Sequence, residues 1–254
     1  MSRNLVLANL NLYAVLPNLE ELVRHDQEMA LLTKDWDICI QFSALGGPAA
    51  FVEFKNGECT VGRGKHSSPT VKLFFATPGH LNKMFDGKAQ PIPLKGFTKL
   101  GFLSKEFSKL TDRMEYYLKP SEESLSNPDF VSLNTLMTMH TAGRAVVELA
   151  VNDPVASHVS KGMMDGSLLM KVLPDGPAIT LNFKNGKAGF QKGETASPMA
   201  CMLLKDMDTA NKLLNQKLDA FSAIAGGDVA IKGQTPMMDS MDLILDRIPH
   251  YLDA

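Results

Sequence analysis

The sequence predicts an α/β protein of the α+β kind. It is read as two tandem copies of one unit, each a five-stranded, mostly antiparallel sheet covered by helices. Three observations predict this: an internal repeat, period-two apolar alternation bounded by Asn-Gly turns, and an apolar helical stripe at the end of each copy. The repeat organises the rest. Phe54-Lys55-Asn56-Gly57 recurs as Phe183-Lys184-Asn185-Gly186, an offset of 129 residues. At that offset Gly47-Pro48-Ala49, Gly64, Ser68-Pro69, Asn82-Lys83 and Lys88 also recur, giving thirteen identities over residues 47–88 without a gap. Chance at ordinary composition gives about two or three. Asp112-Arg113 then matches Asp246-Arg247, and Tyr117-Leu118 matches Tyr251-Leu252, at offset 134, so the second copy carries short insertions. The units are read as 1–118 and 134–254. The segment 119–133 between them opens polar and Pro/Ser-rich, as linkers do.

The elements follow in one order in both copies. Met1–Leu16 is mildly apolar and helical in pattern, and Leu19, Leu22 and Val23 fall at helical spacing, with Met29, Leu31 and Leu32 extending it. Val146, Val147, Leu149 and Ala150 do the same in the second copy. Ile38, Ile40 and Phe42 alternate with Cys39, Gln41 and Ser43, and Val52 and Phe54 alternate with Phe51 and Glu53, which marks half-buried strands. Leu168, Met170 and Val172, then Ile179, Leu181 and Phe183, repeat the pattern. Asn56-Gly57 and Asn185-Gly186 suit type I′ hairpins, whose central residues need positive φ. A fourth strand follows each Ser-Pro: Val71, Leu73 and Phe75, or Ala200, Met202 and Leu204. A short helix comes next, and a fifth strand is expected near Gly96–Gly101 and near Asp228–Gly233. The last element is a helix, with Phe107, Leu110, Met114, Tyr117 and Leu118 on one stripe and Met241, Ile244, Ile248, Tyr251 and Leu252 on its repeat. Thr235-Pro236 reads as an N-cap followed by Pro at the first helical position. Pro249 should end or kink the helix of the second copy.

Composition narrows the function classes. The 254 residues carry 26 Lys+Arg against 28 Asp+Glu, a net charge of -2, which disfavours a nucleic-acid binder acting through a strong basic face. No transmembrane segment is expected, because no apolar run reaches about 18–20 residues. The N-terminus lacks the pattern of a signal peptide. Three dispersed cysteines, Cys39, Cys59 and Cys201, fit a reducing compartment, and a cytoplasmic location is expected. The six histidines form no H-x-x-x-H or H-E-x-x-H pattern and none recurs between copies, so no metal site and no cofactor are expected. No G-x-S-x-G elbow appears, and Gly62-Arg63-Gly64-Lys65 lacks P-loop spacing and reads as a surface turn. A minor reading, an enzyme using Cys59 or His66, is weakened because Ala188 and Thr195 stand at the repeated positions. The chain is expected not to be an enzyme. The repeated Asp-Arg pairs are expected to serve capping or contacts between units.

The ordered elements resemble the sterol carrier protein type two family. Its Gly-x-x-x-x-Pro-Asp segment stands here as Gly64-Lys65-His66-Ser67-Ser68-Pro69-Thr70 and as Gly193 to Met199, without the Asp. Its Gly-Lys step appears as Gly87-Lys88 and, weakened, as Gln216-Lys217; its Lys-Gly appears as Lys232-Gly233 and as Lys99-Leu100-Gly101. The resemblance implies two sterol-carrier-like units and an apolar tunnel between sheet and helices. It also implies binding or transfer of a fatty acid, acyl-CoA or other lipid, without catalysis.

The residues expected to line such tunnels are Val52, Phe54, Leu73, Phe75, Leu81, Phe85, Phe107 and Leu110 in the first copy. In the second they are Leu181, Phe183, Met202, Leu204, Leu213, Leu214, Met237, Met238 and Met241. Any packed core would use the same residue types. The alternative is therefore a non-catalytic interaction or regulatory protein whose tandem units form a pseudo-dimer with filled cores. Eleven of the 15 Met lie at or after Met137, while nine of the 13 Phe lie in the first copy. Met is flexible and polarizable, so the second copy is expected to hold the more adaptable cavity, with Met237, Met238 and Met241 as a gate. Lys83, Lys88, Lys95, Lys99, Lys105 and Lys109 could attract anionic headgroups in transient contact with a membrane surface, but a solvated face is the favoured account of them. Oligomeric state is not legible.

Overall fold

The computed structural model describes residues 1–252, and the chain divides into two compact units between Tyr116 and Tyr117. In unit one, α1 (Arg3–Leu10) runs through a π turn (Asn11–Val15) and is followed by α2 (Asn18–His25) and α3 (Gln27–Thr33). Pro17, lacking an amide donor, separates the π turn from α2. The strands are β1 (Ile38–Ala44), β2 (Ala49–Lys55), β3 (Glu58–Arg63) and β4 (Val71–Phe75). Then come α4 (Pro78–Phe85), β5 (Ile92–Lys95), a 3-10 turn (Phe97–Lys99), α5 (Leu100–Phe102), a second π turn (Leu103–Phe107) and α6 (Ser108–Leu118).

Unit two begins with the 25-residue α7 (Pro128–Asn152), then α8 (Pro154–Gly162). Asn127 caps α7 by accepting from the Asp129 and Phe130 amides, so residues 128–133 are helix, although the sequence reading gave them to the linker. The strands β6 (Gly166–Val172), β7 (Ala178–Lys184), β8 (Lys187–Lys192) and β9 (Ala200–Leu204) follow. The unit closes with α9 (Met207–Leu214), α10 (Ala220–Ala225), β10 (Val229–Gly233) and α11 (Thr235–Leu245).

The two sheets have one topology: β3-β2-β1-β4-β5 and, read in the same sense, β8-β7-β6-β9-β10. In each, the pair β1/β4 or β6/β9 is parallel and the other pairings are antiparallel. Asn56 and Gly57 sit at φ 54° and 78°, and Asn185 and Gly186 at 51° and 71°, as type I′ hairpins require.

Three expectations change. The fifth strand of unit one lies at Ile92–Lys95, ahead of the expected Gly96–Gly101, which is helical from Phe97 onward. Pro93 hides this strand in the sequence, but β5 is an edge strand and a proline is tolerated there. Thr235 does not cap α11: the N-cap is Gln234, with no side-chain bond, while Pro236 does sit in the first turn. The helix α10 was not expected; it occupies the insertion of the second copy, capped by Asp219 accepting from the Ser222 amide. As Pro249 predicts, α11 ends at Leu245 and Ile248–His250 forms a 3-10 turn instead.

Candidate functional site

Strand alternation puts the expected tunnel residues on one face of each sheet. In unit one Ile40 stands opposite Val52, with Val71 on its other side, and Phe42 stands beside Leu73. In unit two Leu168 faces Leu181, and Met170 lies between Ile179 and Met202. Val52, Phe54, Phe75, Leu81 and Leu110 are fully buried, and Leu73 and Phe107 nearly so; Phe85 is half-buried. Leu181, Phe183, Met202, Leu204, Met237, Met238 and Met241 are buried, while Leu213 and Leu214 are half-buried. The helix α11, which carries the three last methionines, packs on α7, α8 and β9.

The two layers are filled differently. In unit one the Trp36 ring meets Phe54 at 5.0 Å and Phe102 at 4.7 Å, both edge-on, and Phe54 meets Phe107 at 6.2 Å. Edge-to-face rings at these separations are a favoured, specific packing geometry. In unit two Met137, Met139, Met163, Met170, Met202, Met237, Met238 and Met241 are all buried. Met137 and Met139 were missed in the sequence as lining candidates. Their signal was their place in the long apolar run of α7. Trp36 was missed too, although it is the one tryptophan.

A distinct cavity of about 480 Å³ opens at the start of α4, lined by Asn4, Thr77, Gly79, His80, Lys83, Lys88 and Ala89. None of the expected tunnel residues lines it. Thr77 caps the helix by accepting from the His80 amide at 3.0 Å. The His80 ring accepts from the Ala76 amide at Nδ1, and its Nε2 lies 2.8 Å from the Gln90 carbonyl, a pattern that assigns the proton to Nε2. Two lysines and a helix N-terminus give this mouth a positive character.

The arginine of each repeated Asp-Arg pair bonds an aspartate of its own unit. Arg113 Nε donates to Asp26 Oδ2 at 2.7 Å, and Arg247 donates to Asp153 Oδ2 at 3.1 Å. Each acceptor is also an N-cap: Asp26 takes the Met29 amide and Asp153 the Ala156 amide. Tyr251 donates a further bond to Asp153 at 2.7 Å. Burial pushes the Asp153 carboxyl up, but the Ala156 amide, Arg247 and Tyr251 outweigh it and hold it below the ordinary carboxylate range. The same cluster raises Arg247, chiefly through its bond to Asp153. The terminal helical stripe is thus clamped to the cap of an early helix in both units.

Cys59 and His66 do not form one site. Cys59 pairs with Phe54 on the core side of the sheet, whereas His66 lies 3.8 Å from Glu53, which belongs to the other side. Burial, then Glu20, pushes the Cys59 thiol far up; burial, then Glu53, raises Cys39 to about 11. All three cysteines are free thiols. Burial and neighbouring carboxylates keep Cys39 and Cys59 in the poorly nucleophilic thiol form.

The sequence matches no protein-family model and no curated protein. Solved structures do match. One is the sterol carrier protein domain 2 of Helicoverpa armigera, at 17% identity and TM-score 0.35, covering 46% of this chain and 92% of that one. Another is sterol carrier protein 2 from Yarrowia lipolytica, at 18% identity and TM-score 0.29, covering 37% and 86%. Each of these two matches covers less than half of this chain. A sec-alkylsulfatase, Pisa1 from Pseudomonas sp., matches over 57% of this chain and 29% of its own, at 15% identity and TM-score 0.28.

Proposed function

We propose that the protein binds an apolar small molecule, a fatty acid, an acyl-CoA or a related lipid, in the layer between sheet and helices of unit two. It releases the ligand by exchange, without covalent chemistry, and works in the cytoplasm. The observation that carries this reading is the methionine wall: eight buried methionines in unit two, three of them on α11. Thioether chains have several accessible rotamers and good dispersion contacts, so such a layer can open for a chain and close behind it. Burying an acyl chain gains about 0.8 kcal/mol per methylene, before the cost of ordering it. In unit one the Trp36–Phe54–Phe107 cluster fills the corresponding layer with rigid rings, which favours a structural role for that copy.

Delipidated protein titrated with a fatty acid, and followed by the NMR signals of its methionine methyl groups, tests this. The methyls of Met202, Met237, Met238 and Met241 should shift and saturate together. Ligand shifts confined to residues of unit one, or no saturable shift with any lipid, would overturn the reading. Replacing Met237, Met238 and Met241 by Leu keeps the volume but removes flexibility. That variant should narrow the range of chain lengths bound.

A further inference from the structure

We propose that Cys39, Glu53 and His66 form a binding site for a divalent, zinc-type metal ion on the face of the unit-one sheet opposite the core. Cys39 and Glu53 are direct cross-strand partners on β1 and β2. They project to the face away from Ile40 and Val52. His66 arrives from the loop after β3. A thiol sulfur, a carboxylate oxygen and an imidazole nitrogen lie within 4.8 Å of one another, with His66 Nε2 3.8 Å from Glu53 Oε1. Metal–ligand distances of about 2.0–2.3 Å in a tetrahedron place ligand pairs about 3.3–3.8 Å apart, so small side-chain shifts suffice. Thiolate and imidazole donors select zinc-like ions over the all-oxygen sites of calcium and magnesium. Three protein donors leave a fourth position for water. Cys39 forms the buried floor, and Glu53 and His66 form half-exposed walls.

The surroundings hold the ligands in place. The His66 amide donates to Gln41 Oε1 at 2.7 Å, while Gln41 Nε2 donates to the carbonyls of Phe42, Ala50 and Gly64. At the other end of the loop the Thr70 amide donates to the Cys39 carbonyl at 2.9 Å, and Thr70 Oγ1 accepts from the Cys39 amide at 3.2 Å. The loop that carries His66 is therefore tied at both ends to the strand that carries Cys39. The His66 ring rests on Phe51 at 4.9 Å. Phe51 in turn lies across Gly62, where a Cβ would come within 2.1 Å of the ring. Ligation through Nε2 puts the imidazole proton on Nδ1, which now accepts from the exposed Ser68 amide at a long 3.3 Å. Water takes over that exposed amide.

The duplication separates this site from the needs of the fold. Strand register and the 129-residue offset place Ser167, Asn182 and Thr195 where unit one has Cys39, Glu53 and His66. Unit two folds the same strands and the same loop without any of the three ligands, pinning Gly193 through Thr180 Oγ1 at 2.9 Å. The three residues are thus extra to the architecture, and they occur together in one copy.

On binding, the Cys39 S–H bond breaks, its proton goes to the buffer, and the thiolate sulfur bonds the metal. Chelator-treated full-length protein should be titrated with Co²⁺, read by near-ultraviolet thiolate-to-cobalt absorption, and with Zn²⁺ by calorimetry. One equivalent of Co²⁺ should give a saturable band that Zn²⁺ displaces. Cys39→Ser should abolish the band, and Glu53→Gln or His66→Ala should weaken affinity about 10–100-fold or more. Cys201→Ser and His80→Ala should change nothing, and circular dichroism checks that each variant folds. Installing Ser167→Cys, Asn182→Glu and Thr195→His together should add a second equivalent. Absence of the band in wild type, or a band that survives Cys39→Ser, would overturn the proposal.

Discussion

Asp153 joins three jobs in one carboxylate: it caps α8, accepts Arg247 and accepts the Tyr251 hydroxyl. Its side chain is fully buried, so its loss removes a cap and leaves partly buried donors unpaired. Asp153→Ala should cost about 2–4 kcal/mol of stability, read as a lower urea midpoint at an unchanged slope. The folded-state pKa is lowered. The stability this carboxylate supplies is therefore complete above the unfolded value of about 4 and is lost as pH falls through the lowered value. The gap in urea midpoint between wild type and Asp153→Asn should stay level from about pH 8 to about pH 5 and narrow only below about pH 4. A gap that instead closes near neutrality would assign the effect to another group. The repeated Asp-Arg dipeptide displayed the arginines in the sequence. Their partners lie 87 and 94 residues away, so the fold alone could identify them.

The long helix α7 shows why an element's fit outweighs its propensity. Gly143 sits inside it, where glycine costs about 1 kcal/mol relative to alanine. A Cβ there would come within 2.8 Å of both Ile179 Cδ1 and the Phe190 ring, so the glycine lets the helix lie close on β7 and β8. Gly143→Ala should therefore destabilise by about 1–2 kcal/mol, overpacking exceeding the propensity gain; a rise in the unfolding midpoint would refute this close packing. The strands, the Asn-Gly hairpins and the end of α11 were legible because each has a local cause: alternation, positive φ, or a proline. The strand β5 was not, because its short Ile-Pro-Leu-Lys run reads as a loop until an edge position excuses the proline. The Cys39–Glu53–His66 grouping was invisible for a related reason. Strand pairing brings two of its members together and a folded-back loop brings the third, so no sequence spacing reports it.

Across the whole chain, duplication gave two copies of one architecture and then let their interiors diverge. The sequence showed the divergence as a count, with methionine gathered in one half and phenylalanine in the other. The structure turns the count into two kinds of filling, buried thioethers in unit two and edge-to-face rings in unit one. The contrast has a direct spectroscopic consequence, because Trp36 is the one tryptophan and belongs to the ring cluster of unit one. The proposed function places the ligand in the methionine layer of unit two and not among the rings around Trp36. Titration with fatty acid should therefore shift the methionine methyls while Trp36 emission keeps its wavelength and intensity. Trp36→Phe should retain ligand affinity within about twofold, since the substitution keeps an aromatic ring and lies outside the unit proposed to bind. Saturable quenching of Trp36 at the same ligand concentrations would relocate the site to unit one, and the stiff aromatic layer would then be the one that opens.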